Sequence, residues 1–323
     1  MGQKQLFVSA RLARRFPALR TAIWRLELLV VKFFVWVVRC LSPERAARLA
    51  HFIFRNLAPT LPFTTKIRRN LGVAFPHASD RDIKKLTVKT CGNLGIAVVD
   101  VILSQRLWAE RKQRIEFVME DGVDLAGYTG KPVVLVTGHI GAWQLASFVA
   151  VRYNLRVTSV FAPEKNPYLR DYLGSLRSEL PFTFISRDGC MRALAKELKC
   201  GNVLGLASDT RMDGGDSLSF FGVQTPSNTS LARLALRYDC DFIPVRAERL
   251  PGMHFRITAY RPIRSDNPDA PVAEQARQMT QSMLNHFEAW IRDTPDQWMC
   301  FGRRWPHEAY SSVPVAKQSK LES

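Results

Sequence analysis

The stretch from Lys131 to Ala150 reads Lys-Pro-Val-Val-Leu-Val-Thr-Gly-His-Ile-Gly-Ala-Trp-Gln-Leu-Ala-Ser-Phe-Val-Ala, and it leaves the chain few ways to fold. Val133 to Val136 is an apolar, mostly β-branched run too short for a helix. Thr137-Gly138 is a turn signal before a new apolar period. The stretch therefore reads as a buried strand, a turn and a helix. From about Ile115 onward strand and helix signals alternate. Strands are expected over Arg156 to Phe161, Phe182 to Ser186, Val203 to Ala207, Phe242 to Arg246 and Phe255 to Tyr260. Helices are expected over Asn166 to Leu180, Cys190 to Leu198, Thr229 to Tyr238 and Ala273 to Ile291. Such alternation implies an α/β fold with a mainly parallel central sheet flanked by helices on both faces.

Residues 42–110 read as a helical N-terminal subdomain ahead of an α/β domain at 111–306. Ser42-Pro43-Glu44 opens a helix with a cap, a proline at the first position and an acid in the first turn. Lys66 to Pro76 reads as a helix and a stop. Ser79-Asp80-Arg81-Asp82 then restarts a helix that runs to about Leu103. Residues 307–323 are a polar tail expected to be disordered.

Residues 1–41 form a basic arm and a membrane-associated helix. Arg11, Arg14, Arg15, Arg20 and Arg25 precede the apolar run Leu26 to Val38, which is interrupted by Glu27 and Lys32. No small-residue cleavage site follows, so the segment is expected to be retained. The ten Leu, Val and Phe residues of the run favour insertion by about 0.3 to 0.6 kcal/mol each, and a central Lys opposes it by roughly 2.5 to 3.5 kcal/mol. With Glu27 included the two sides nearly cancel. The expectation is a helix embedded in the membrane or lying along it, with arginines on anionic headgroups, and with a single span as the alternative.

The formal charge of +17 calls for an anionic partner surface such as phospholipid, an acidic carrier protein, a phosphorylated glycolipid or nucleic acid. Nucleic acid is not expected, since there is no aromatic RNP pattern, zinc-finger spacing or basic-region heptad. The six cysteines are far apart and form no Cys-x-x-Cys pair, so neither a zinc site nor a disulfide framework is indicated.

His139 falls where a strand ends and a helix begins, at the carboxyl edge where open α/β sheets put their chemistry. Gln144 is five positions on, and the two side chains can meet if His139 lies just outside the helix. Three more polar groups follow predicted strands or sit beside them. Arg170 and Arg177 are two turns apart on one helix face, where they either bind substrate or are simply solvated. Arg187-Asp188-Gly189 is a turn that either binds substrate or only starts the next helix. Asp209, beside the loop Asp213-Gly214-Gly215-Asp216, is a candidate catalytic acid, with capping as its alternative role.

Gly-His-Ile-Gly-Ala-Trp-Gln-Leu resembles the His-x-x-x-x-acid signature of glycerolipid and lipid A acyltransferases. The resemblance continues in order through Arg69-Asn70-Leu71 with Ala74-Phe75-Pro76, the Asn166 to Arg177 helix, Asp209, Phe220 to Pro226, Ile243-Pro244-Val245, and Gln297-Trp298 with Arg303-Arg304-Trp305. On those residues the chain resembles the lipid A late acyltransferases (lauroyl/myristoyl type) of the lysophospholipid acyltransferase superfamily. The resemblance implies a glycerol-3-phosphate acyltransferase-like fold at the cytoplasmic face of the bacterial inner membrane. It implies transfer of a fatty acyl chain from acyl carrier protein to a hydroxyl of an anionic lipid A precursor, without metal or bound cofactor. The catalytic roles would fall on His139 as general base, the position of Gln144, and Asp209. Arg177, Arg170 and Arg187 would bind substrate.

Two positions depart from that pattern. Gln144 stands where the family has an acid. An amide oxygen can still orient the imidazole but brings no charge. A slower enzyme, an enzyme in which Asp209 or another acid takes the partner's role, and a silent lipid-binding relative are the three outcomes this leaves. Met299-Cys300-Phe301-Gly302 stands where relatives usually carry an aromatic and a His, which leaves the acceptor open to another lysolipid or an aminolipid.

Overall fold

A computed structural model describes residues 17–311. Arg11, Arg14 and Arg15 of the basic arm and residues 312–323 of the polar tail lie outside the described residues. The first part of that tail departs from the expected disorder, with a 3-10 turn at Glu308–Tyr310 whose Tyr310 hydroxyl donates to Asn70 Oδ1 at 2.6 Å.

Four helices lead in: α1 (Pro17–Cys40), α2 (Pro43–Leu57), α3 (Phe63–Ala74) and α4 (Asp80–Ile102). Ser42 accepts the Arg45 N–H and caps α2, and Ser79 accepts the Asp82 N–H and caps α4. Helices α2 and α4 pack closely because α4 carries Gly92 and Gly95 against α2. A Cβ on Gly95 would sit 2.4 Å from the Ala50 carbonyl oxygen, and one on Gly92 would meet the His51 ring.

The two short helices Ser104–Ala109 and Arg111–Arg114 then deliver the chain to a seven-stranded sheet. Its strands are β1 (Ile115–Met119), β2 (Val133–Thr137), β3 (Val157–Phe161), β4 (Phe182–Ser186), β5 (Val203–Ala207), β8 (Asp241–Leu250) and β9 (His254–Ala259), in the order β1-β9-β8-β2-β5-β3-β4. All neighbours are parallel except β8 and β9. A separate antiparallel hairpin, β6 (Asp216–Phe220) and β7 (Val223–Ser227), lies between β5 and β8 in the chain. It was not expected as strands, because Ser, Gln and Pro interrupt its apolar alternation.

Every residue of the central strand β2 is buried. Val134 and Val136 point into one core with Phe242, Met283 and Phe287, while Val133 and Leu135 point into the other with Val99, Phe148 and Ile243. The period of two in a strand sends alternate residues to opposite faces, so both faces need cover. Helices α5 (Pro167–Ser178), α6 (Met191–Lys199), α7 (Ser230–Arg237) and α8 (Val272–Asp293) complete the chain. The expected strands over 182–186 and 203–207 are observed with those bounds, and the expected helices differ by a few residues at their ends.

No helix among the described residues is long and apolar enough to cross a membrane. The charges that interrupt the apolar run of α1 have partners in the protein. Glu27 is buried and accepts from Asn166 Nδ2 at 2.9 Å, Lys32 lies over the Tyr172 ring, and Arg39 pairs with Glu179 at 2.6 Å. These contacts dock α1 on α5. Leu26, Leu29, Val30, Phe33 and Trp36 remain exposed along the free side.

The α2–α4 contact yields a prediction in which two effects compete. Alanine in a helix interior is favoured over glycine by roughly 0.5 to 1 kcal/mol. At position 95 the new methyl would press on a backbone oxygen that cannot swing away, and such overpacking costs about 1 to 3 kcal/mol. Gly95→Ala is therefore expected to lower the urea midpoint of unfolding, whereas a midpoint that rises would mean the helices separate freely.

Candidate active site

The pairing of β2 with β5 aligns Thr137 with Ala207, and the Ser208 N–H continues the ladder by donating to the Thr137 carbonyl at 2.9 Å. His139 and Asp209 are each two residues beyond those paired positions. Neighbouring strands lie about 4.8 Å apart, so side chains leaving the two strand ends at matching offsets come within bonding range. His139 Nδ1 is 2.6 Å from Asp209 Oδ1. A carboxylate only accepts, so Nδ1 carries the proton and Nε2 of the neutral ring is left as the basic nitrogen.

Asp209 is held from several sides. Its side chain is 4% exposed, and the Trp298 Nε1–H donates to Oδ2 at 3.1 Å. Burial pushes its carboxyl up, but the imidazole charge and hydrogen bond, the Trp298 donor and the His139 backbone N–H together hold it below the usual carboxylate range. The His139 side chain remains 30% exposed. Its burial opposes protonation, and the charge and hydrogen bond of Asp209 outweigh that, raising the ring above the ordinary imidazole range. The arrangement is a histidine whose inner nitrogen is fixed by a buried anion while the ring keeps access to solvent.

The loop that carries His139 is pinned to two other segments. Met299 N–H donates to the His139 carbonyl at 2.8 Å, Gly141 N–H to the Gln297 carbonyl at 3.0 Å, and Ala142 N–H to the Ala247 carbonyl at 2.9 Å. Arg249, itself ion-paired with the fully buried Asp100, donates to the Gly141 carbonyl at 3.0 Å. Gly141 has φ +63°, and a Cβ there would lie 2.4 Å from the Ala247 carbonyl oxygen.

These bonds correct the expectation of a regular helix directly after His139. Backbone groups at Gly141 and Ala142 are taken by other strands and loops, so the chain makes a 3-10 turn at Trp143–Leu145 and then the short helix Phe148–Val151. The expected hydrogen bond between Gln144 and the ring is not formed. Gln144 Oε1 is buried with no hydrogen-bond partner among the described residues, and the ring takes its bond from across the sheet. Trp143 is the nearby ring instead, with its centroid 5.3 Å from that of the imidazole.

The three arginines line the same carboxyl edge of the sheet but stand away from His139. Arg177 forms a two-point ion pair with Glu164 and lies over the Phe161 ring at 4.4 Å. Arg170 is exposed on α5 beside Asp171, and the exposed Arg187 is tied by its backbone N–H to the Phe161 carbonyl. In the order β2-β5-β3-β4 their supports are two and three strands from β2, or roughly 10 to 14 Å sideways. Among the described residues no group of three or more His, Cys, Asp or Glu is arranged to hold a metal.

Trp298 was not among the site residues drawn from the sequence. The available signal was its indole N–H, which needs an acceptor when the residue is buried.

Residues 14–307 match the family model of bacterial lipid A biosynthesis acyltransferases. No curated protein matches the chain.

With Asp209 removed, burial is the influence left on the ring, and burial favours the neutral form. Asp209→Asn is therefore expected to move the His139 titration midpoint from above to below that of a free imidazole, read by 15N NMR of the labelled histidines. An unmoved midpoint would contradict the pairing.

Proposed function

Because the chain belongs to the bacterial lipid A biosynthesis acyltransferase family, it is an acyltransferase of lipid A assembly, and we propose that His139 is its general base and Asp209 the anion that orients that base. The observation that carries this reading is the 2.6 Å bond from His139 Nδ1 to a buried carboxylate, which leaves Nε2 as the free nitrogen of a ring that keeps access to solvent. In the proposed reaction Nε2 takes the proton of an acceptor hydroxyl as its oxygen attacks a thioester carbonyl. The tetrahedral intermediate collapses with loss of thiolate, and the imidazolium returns the proton to the sulfur. A thioester is already activated, so the demands on the protein are deprotonation and stabilisation of charge. Asp209 keeps the ring in the productive tautomer and stabilises the imidazolium as it forms.

In this reading the acid role falls to Asp209 rather than to position 144, and the His139–Asp209 pair supports an active enzyme over a silent lipid-binding relative. The basic edge formed by Arg170, Arg177 and Arg187 suits a phosphorylated disaccharide lipid, which is long enough to reach from β4 to β2. We read the chain as a late acyltransferase of the lauroyl/myristoyl type taking its acyl group from acyl carrier protein. The acidity of such carriers complements a chain of net charge +17.

We also propose that the enzyme works at the cytoplasmic face of the inner membrane, with α1 lying in the interface. Support comes from the exposed Leu26, Leu29, Val30, Phe33 and Trp36, which recur at helical spacing opposite the face that docks on α5. Phe52, Leu57 and Leu61 add exposed apolar surface on and just after α2.

Purified protein given an acyl-carrier thioester and a lipid A precursor is expected to release acylated product. His139→Ala should reduce turnover by about 10² to 10⁴ with unchanged circular dichroism. Full activity in that variant would remove the proposed base. Gln144→Glu is expected to bring no gain in rate and a loss of stability of about 1 to 3 kcal/mol, because its charge replaces an oxygen that already lacks a donor. A large rise in rate would return the acid role to position 144. Phe33→Glu with Trp36→Glu should weaken co-sedimentation with phosphatidylglycerol/phosphatidylethanolamine vesicles about tenfold or more. Equal binding would place the membrane contact elsewhere.

A further inference from the structure

His139 and Ile140 stand between two glycines, Gly138 and Gly141. Glycine leaves the backbone freer than any other residue, so a base carried on Gly-His-Ile-Gly has to be held in place from outside the loop. Met299 and Gln297 do part of this through backbone bonds. Arg249 adds a side chain. Its Nη2 donates to the Gly141 carbonyl at 3.0 Å and to the Asp100 carboxylate, and its Nη1 reaches Gln297 Oε1 at 3.5 Å. From its place on β8, one guanidinium thus ties the loop after β2 to α4 and to the segment after α8.

Stability alone does not account for the Arg249–Asp100 pair. Asp100 is fully buried, the Arg249 side chain is 6% exposed, and Asp100 Oδ1 and Arg249 Nε both lack a hydrogen-bond partner. Burial pushes the Asp100 carboxyl up, against the charge and hydrogen bond of Arg249. Apolar side chains of similar volume in place of such a pair are often as stable or more so, because they avoid the desolvation. What they cannot do is donate to Gly141. That residue is buried, and a buried carbonyl that loses its donor turns toward water. A glycine at φ +63° resists such a turn little, and His139 is two residues away.

We infer that Arg249 and Asp100 are positioning residues of the reaction: their buried pair fixes the Gly141 carbonyl, and through it the Gly138–Gly141 loop, so that His139 keeps its bond to Asp209 throughout turnover. Both act through the loop. Asp100 aims the guanidinium, and the guanidinium holds the backbone that carries the base. The expected size of the effect follows from the sensitivity of catalysis to placement, since a displacement on the order of 1 Å costs about 10²-fold in rate. Substrate binding does not depend on the loop in the same way, so the loss is expected in kcat.

This inference rests on His139 being the base, and its test separates the two. The full chain is assayed with an acyl-carrier thioester and a lipid A precursor. Asp100→Leu with Arg249→Met removes both charges and keeps an apolar side chain at each position. It is expected to leave the urea midpoint at or above that of the native chain, to lower kcat about 10- to 100-fold, and to keep KM for each substrate within about twofold. Arg249→Lys covers the case in which the double variant does not fold. It keeps a cation beside Asp100 but loses the planar fork that reaches Asp100 and Gly141 together, and its kcat is expected to fall about tenfold. In both variants the low-field proton of His139 Nδ1–H, assigned in the NMR spectrum by its loss in His139→Ala, is expected to broaden or disappear. Native kcat, or an unchanged low-field proton, in either folded variant overturns the role. If His139→Ala retains activity, the proposed reaction fails, while the low-field proton still reports whether the pair holds the loop.

Discussion

The hydrogen bond between His139 and Asp209 depends on the register of two parallel strands. Pairing of Thr137 with Ala207 brings the residues two steps further on into contact. A slip of one residue would turn every side chain of β5 to the other face and separate the pair. That register is well fixed, because β2 is buried on both faces and its alternate residues belong to two different cores. The chemistry of the site is thus tied to the packing of the whole sheet. A carboxylate with 4% exposure would be driven toward its neutral form without donors, and Trp298 and the histidine supply them.

The segment after α8 does much of the local work. Met299 and Gln297 bond to the His139 loop, Trp298 bonds to Asp209, and the Cys300 and Gly302 carbonyls accept from the fully buried Asn70 on α3. Asn70 reads in the sequence as part of a helix ending without chemistry, and its contact is more than two hundred residues away. Departures from the family pattern at Met299 to Gly302 therefore fall in a segment that braces the site mainly through backbone groups, which many side chains permit.

The fold class and most element positions could be read from the sequence because period and punctuation are local properties. Phe182 to Ser186 is rich in β-formers and Val203 to Ala207 is a short, nearly apolar run, both are bounded by turn residues, and both are strands with those bounds. The hairpin β6–β7 was hidden because most of its residues are polar and it pairs with itself rather than with the main sheet. His139 and Asp209 were both legible as strand-end residues. Their pairing was not, since nothing local says that β2 and β5 are neighbours. Gln144 drew attention by proximity in sequence, but the loop around Gly141 is bonded elsewhere and never forms the helix that would have brought it to the ring. The charges in α1 had a similar history. Glu27 and Lys32 weigh against a span, and their partners Asn166 and Tyr172 sit on a helix far along the chain.

The central claim is that the carboxylate serving His139 comes from the neighbouring strand and not from five residues downstream. Side-by-side rates of acyl transfer for Asp209→Asn and Gln144→Ala test it most directly. The account predicts a fall of about 10² to 10⁴ in kcat for Asp209→Asn and less than about tenfold for Gln144→Ala. The reverse order, with the glutamine variant the more damaged, would contradict it.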